Sequence, residues 1–188
     1  EAANTERPSA VTSNLFIGGA QSSRSVYTMQ HLGITHILCL CTNEIGQSDS
    51  QFPDLFTYKN FSVCDTENSD IGILFDEACD FIEDVERGGQ RVLVHCFEGK
   101  SRSVAVLLAY LMLRKLFSAT ELFTWLVTSC TSNSLVTKCS TPSLKQSMFT
   151  YKSSSKYTNH CNSQEAKDNA LYSASDELLD TVLFLSPP

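Results

Sequence analysis

The spacing of apolar and polar positions divides this chain into a regular succession of elements. Residues 14–19, Asn-Leu-Phe-Ile-Gly-Gly, predict a short strand stopped by paired glycines. Val26, Met29 and Leu32 recur every third residue, predicting a helix capped by Ser22 or Ser23 and ended by Gly33. The run from Ile34 to Cys41 is largely apolar, the signature of a strand covered on both faces in a parallel sheet. A polar loop from Thr42 to Pro53 precedes an alternating strand from Phe56 to Val63. From Ile71 to Arg87 the period becomes helical. Ile71, Leu74, Phe75, Ala78, Phe81, Ile82 and Val85 share one face, and an acidic row, Asp76, Glu77, Asp80, Glu83, Asp84 and Glu86, lines the other. That row reads as a solvated face. Gly88 and Gly89 end the helix, Val92 to Val94 form another buried strand, and Arg102 to about Leu113 is a nearly unbroken apolar helix.

Strands alternating with helices in this order predict an α/β domain: a central, mostly parallel sheet flanked by helices, its ligand beyond the C-terminal strand ends. Residues 1–13 read as a flexible polar arm and 14–130 as one folded domain. Ser118 to Glu121 forms a capping box, and Leu122, Phe123, Trp125, Leu126 and Val127 supply one more packed helix. Residues 131–163 then hold nine serines and five threonines, and no acid stands between Glu121 and Glu165. The tail 131–188 is therefore expected to be poorly ordered, apart from a short amphipathic helix over 176–185.

Composition narrows the function classes. A net charge of −7 lacks the basic face that nucleic acid demands. There is no run of 18 or more apolar residues and no charged-then-apolar leader, so neither a membrane span nor a signal peptide is expected. The first residue is Glu1, as in a segment excised from something longer. Eight cysteines in 188 residues invite a disulfide reading. Their placement argues otherwise: Cys39 and Cys41 fall in an apolar strand, Cys79 in a helix, and neither Cys39 nor Cys41 has a partner at metal-ligand spacing. His36 reads as a core histidine. A reducing cytoplasmic or nuclear compartment is expected, and no metal or other cofactor.

The chemistry concentrates where the strand ending at His95 and Cys96 turns into the helix at Arg102. A short loop entering a helix points successive backbone N–H groups into one concavity, and the helix N-terminus adds partial positive charge. Phe97, Glu98, Gly99, Lys100 and Ser101 build this anion nest, with Gly99 permitting the tight path. Arg102, six positions after Cys96 (102 − 96), can grip two phosphoryl oxygens with its planar fork. The positive bowl favours thiolate at Cys96, which aims a nucleophile at phosphorus. Ser103 can donate a hydrogen bond to that sulfur and help it leave. His95 is expected to orient the loop rather than to transfer protons.

The segment His95-Cys-Phe-Glu-Gly-Lys-Ser-Arg-Ser103 resembles the signature of the cysteine-dependent protein phosphatases, and within them the dual-specificity branch. It is most similar to plant members of the propyzamide-hypersensitive type, relatives of the MAP kinase phosphatases. The resemblance covers residues 11 to about 116; the Arg-Pro or Pro-Asn segment and final helix of the family are not visible beyond it. It implies Cys96 as nucleophile, Arg102 and the loop amides as clamp, and Asp65 as the acid that protonates the leaving oxygen. Asp65 stands 31 positions before Cys96 (96 − 65), on the loop after the alternating strand. From the residues alone Asp65, Glu67 and Asp70 all qualify, Asp70 being better explained as a helix cap. Cys64 reads as core, on the opposite side from Asp65.

The resemblance implies hydrolysis of phosphotyrosine and phosphoserine/threonine on proteins, a MAP kinase among the substrates, through a cysteinyl-phosphate. A second reading is a catalytically impaired phosphate-binding module, because the unusual ending should leave apolar surface of the 102–113 helix uncovered unless Trp125 and the 176–185 segment fill in. A third, a rhodanese-like or arsenate-reductase-like enzyme, fits the Gly-x-x-Arg spacing and the Asp65 loop poorly.

Overall fold

A computed structural model describes residues 7–45, 51–66 and 71–115. The elements run β1 (Ser9–Ala10), β2 (Leu15–Gly18), α1 (Ala20–Arg24), α2 (Val26–His31), β3 (His36–Cys39), α3 (Thr42–Ile45), β4 (Thr57–Asn60), a 3-10 turn (Ile71–Leu74), α4 (Phe75–Arg87), β5 (Val92–His95) and α5 (Arg102–Leu113). The sheet order is β1-β2-β5-β3-β4. β2, β5, β3 and β4 are mutually parallel, and β1 pairs antiparallel with β2 at the edge. The mostly parallel α/β expectation holds. The last of the described strands in sequence, β5, is inserted between β2 and β3, so the loop that follows it emerges in the middle of the C-terminal edge, where such sheets hold their ligands.

The sheet divides two apolar layers. Leu38, Leu40, Val92, Val94 and Cys96 join Phe75, Ala78, Ile82 and Val85 of α4 and Val104 to Leu111 of α5 in the larger one. Phe16, Ile37 and Leu93 face Met29 of α2, with Ile34 and Phe56, in the smaller. Every residue from Arg102 to Leu111 is buried, so α5 is apolar all round because it has no solvent side over that span. The helix is thus covered over 102–111, while the Trp125 and 176–185 segments on which that cover was expected to depend lie outside the described residues. Tyr110, completely buried, donates its hydroxyl to Glu86 Oε2 at 2.8 Å, and Thr12 reaches the other oxygen of the same carboxylate at 3.3 Å. Glu86 thus leaves the acidic row. The rest of that row is solvated as expected, with surface ion pairs of Asp80 and Glu83 to Arg114, Asp84 to Arg87, and Glu77 to Lys59.

Several expectations are corrected. The arm over 1–13 carries an edge strand at Ser9–Ala10, held to Ile17 and Phe16 by backbone pairing that polar side chains do not announce. Ser22 and Ser23 lie inside α1 rather than capping a helix; Gly19 precedes it, and α2 starts separately after Ser25. Residues 71–74 form a 3-10 turn, so α4 proper begins at Phe75. Cys64 is exposed, because β4 ends at Asn60 and strand alternation no longer governs position 64. Glu67, Asp70, the capping box at 118–121, the Trp125 helix, the tail 131–188 and the 176–185 helix lie outside the described residues.

Candidate active site

The loop after β5 is folded around the sulfur of Cys96. The thiol is 1 % exposed, Gly99 N–H donates to Sγ at 3.2 Å, and the Ser103 hydroxyl lies 3.3 Å away. The chain reaches this arrangement by turning back at Gly99, where φ is +77° and a Cβ would stand 2.6 Å from the carbonyl carbon of Gly18. Only glycine fits both conditions. The β2–α1 junction grips the loop from the same side: Ala20 N–H donates to Phe97 O at 2.9 Å, and a Cβ on Gly19 would press on the Phe97 and Glu98 carbonyl oxygens at 3.1 Å. Phe97 and Glu98 project outward, Glu98 pairing with Lys100 at 3.1 Å. Neither of those side chains is inside the bowl. His95 is 2 % exposed, and its Nδ1 lies 3.4 Å from Cys96 O, a contact within the loop's own root.

Arg102, the first residue of α5, is buried at 4 % exposure. Glu44 grips both ends of its fork, Nη1 to Oε1 at 2.5 Å and Nη2 to Oε2 at 3.0 Å, and Nη1 also donates to Val63 O at 2.8 Å. Burial would pull the guanidinium down, but the Glu44 bond and the charges of Cys96, Asp65 and Glu44 outweigh it and hold Arg102 above its ordinary value. It stays cationic. Nε is buried without a hydrogen-bond partner, with the Asp65 Oδ2 only 3.6 Å away. A buried, unsatisfied donor on a fixed cation is a ready place for a phosphoryl oxygen.

Asp65 stands at this same point. Ser101 Oγ donates to its Oδ1 at 2.7 Å, which places the half-exposed carboxyl over the loop between Ser101 and Arg102. Cys96, Gly99, Ser101, Arg102, Ser103 and Asp65 therefore converge, although Asp65 comes from the loop after β4. Glu44 was not anticipated. It lies in the stretch that reads as a polar loop, on the single turn of α3, anchored by Glu44 N–H to Cys41 O at 3.0 Å and by Thr42 Oγ1 to Phe61 O at 2.6 Å. Replacing it, Glu44→Gln, keeps one hydrogen bond but loses the ionic fork; kcat/KM for an aryl phosphate is expected to fall roughly 10- to 100-fold through a misaimed guanidinium. Steady-state kinetics check this, with a thermal melt to confirm the fold; an unchanged kcat/KM refutes the positioning role.

A further cluster lies beside the site. The ligand atoms of Cys39, Cys41 and His95, all buried, fall within 4.8 Å of one another. The sequence pattern treats the two cysteines as core only; the histidine arrives from the neighbouring strand.

Known proteins resemble this chain in sequence and in fold. The family model of the dual specificity phosphatase catalytic domain matches residues 15–154. The chain is 62% identical over 121 residues to dual specificity protein phosphatase PHS1 of Arabidopsis thaliana, covering 64% of this chain and 13% of that protein. To dual specificity protein phosphatase 1 of the same plant it is 38% identical over 105 residues, 56% of this chain and 51% of the relative. It thus spans from about an eighth to about half of these relatives' lengths. The fold superposes on the crystal structure of human DUSP28 with a TM-score of 0.62 at 22% identity, covering 77% of this chain and 92% of that one. On the extent of the family match, the chain belongs to the dual specificity phosphatases, through their catalytic domain.

Proposed function

We propose that this chain hydrolyses phosphate monoesters of tyrosine and of serine or threonine on proteins through a cysteinyl-phosphate intermediate. The observation that carries the proposal is the shared focus of a buried thiol, an orphaned guanidinium Nε and a carboxyl, Cys96, Arg102 and Asp65. The phosphoryl group enters against the loop amides and Arg102 Nε, displacing the Asp65 carboxylate from it. Cys96 Sγ attacks phosphorus as the thiolate, the ester P–O bond breaks, and Asp65, which has taken up a proton from solvent on leaving Arg102, gives it to the leaving oxygen. The resulting carboxylate then takes a proton from the water that attacks the phosphoenzyme. As the P–S bond breaks, Gly99 N–H and the Ser103 hydroxyl hold the departing thiolate. The charge that develops on the equatorial oxygens meets Arg102, held in place by Glu44.

Phosphorylated proteins are the substrate class that the family implies, and a MAP kinase is the substrate we propose among them, acted on in the cytoplasm or nucleus. The convergence of nucleophile, clamp and acid supports turnover over a phosphate-binding module. All five cysteines among the described residues are free thiols, consistent with a reducing compartment. Among those residues no helix is long and apolar enough to cross a membrane. The test compares wild type with Asp65→Asn. Loss of the proton donor is expected to slow hydrolysis of a phosphoserine peptide by roughly 10²-fold and that of an aryl phosphate, whose leaving group needs little protonation, far less. Equal loss on both substrates, or none, removes Asp65 from the role of acid.

A further inference from the structure

We propose that Cys39, Cys41 and His95 form a binding site for a thiophilic divalent cation of the zinc type, set behind the phosphate loop. The proposal does not depend on the chemistry assigned to Cys96. Cys39 and His95 are register partners on β3 and β5, and Cys41, two residues beyond Cys39, returns to the same side of the chain. The two sulfurs are 4.0 Å apart. In a tetrahedral site with Zn–S of about 2.3 Å and Zn–N of about 2.0 Å, neighbouring ligand atoms are roughly 3.6–3.8 Å apart. The cluster as it stands therefore needs contractions of at most about 1.2 Å, since its ligand atoms all lie within 4.8 Å. All three residues are at most 2 % exposed.

The donor set selects the ion. Two thiols and an imidazole, with no carboxylate among them, suit zinc and exclude magnesium or calcium by softness. Binding releases two thiol protons, and the two thiolates neutralise the dication, so the loaded site buries no net charge. One coordination position stays open. The side of the sheet matters too: Ile37 and Leu93, two residues before Cys39 and His95, face α2 in the smaller apolar layer, whereas Cys96 belongs to the larger one. The cation site and the sulfur of Cys96 are therefore on opposite faces of the same strand end. A metal on the His95 imidazole pins that ring to β3 and stiffens the root of the loop, whose Cys96 carbonyl lies against His95 Nδ1 at 3.4 Å.

Cobalt(II) titrated into the whole reduced chain tests this, with zinc as competitor. The expected result is a thiolate-to-cobalt charge-transfer band that saturates at one equivalent and is displaced by zinc. Zinc should also raise the melting temperature with the logarithm of its concentration. Both effects should persist in Cys96→Ser and disappear in Cys39→Ala/Cys41→Val, which keeps the site apolar and whose metal-free melt reports its fold. On the wild-type chain, zinc should slow alkylation of Cys39 and Cys41 under mild urea while leaving that of exposed Cys64 unchanged. No band in the folded wild type, a band kept by the double variant, a band lost in Cys96→Ser, or no protection of Cys39 and Cys41 overturns the proposal.

Discussion

Cys96→Ser is expected to lower turnover of an aryl phosphate by on the order of 10⁴-fold or more while leaving phosphopeptide binding within a few-fold of wild type. The surroundings of the sulfur explain both halves. Gly99 N–H at 3.2 Å and the Ser103 hydroxyl at 3.3 Å can stabilise a thiolate, but neither is a base able to take a proton from an alcohol. A serine at this position therefore remains a neutral hydroxyl and does not attack. Binding depends on other atoms: the loop amides, and Arg102 held by Glu44 and Val63 O. Steady-state rates paired with calorimetric titration of a phosphotyrosine peptide separate the two. Turnover surviving the change would sink the cysteinyl-phosphate route. Loss of binding together with turnover, in a chain that still melts cooperatively, would instead mean that the sulfur shapes the bowl.

Arg102→Lys is expected to cost about 10³-fold in kcat/KM, because a guanidinium and an ammonium are not interchangeable where the donors work in a fork. Arg102 uses Nη1 and Nη2 on Glu44, Nη1 also on Val63 O, and keeps Nε for the ligand. A lysine ammonium has three donors on a flexible stem. If it satisfies Glu44 and Val63 O, it presents no fixed donor to a phosphoryl oxygen. The same substitution should lower the melting temperature, since the buried carbonyl and the half-buried carboxylate lose partners. Vanadate binding followed by calorimetry gives a readout that stability alone does not move. Wild-type kcat/KM in Arg102→Lys would show that charge suffices and that the fork is irrelevant.

How much of this was legible depends on the range over which each feature is encoded. β5 and α5 appear at Val92–His95 and Arg102–Leu113, nearly where periodicity and the loop's turn chemistry set them, because strand, nest and helix start are adjacent in the chain. The amphipathic face of α4 was equally plain from spacing, except that Glu86 turned inward to Tyr110. Asp65 was one of three candidate acids from its residue type; the contact with Ser101 and Arg102 places it at the loop.

By itself, the sequence determined the alternation of elements, the parallel class of the sheet and the local phosphate nest, since each depends on side chains within a few turns of one another. Only the tertiary structure decided what meets that nest from afar. Glu44 reaches Arg102 across a separation of 58 residues, from a single helical turn whose composition says only that it is polar. Ser9 and Ala10 join the sheet through backbone pairing, which side-chain pattern does not encode. Cys39, Cys41 and His95 come together because β5 inserts beside β3 with Cys39 opposite His95. The order and register of strands follow from how both apolar layers close at once, and that condition belongs to the folded sheet as a whole rather than to any one stretch of it.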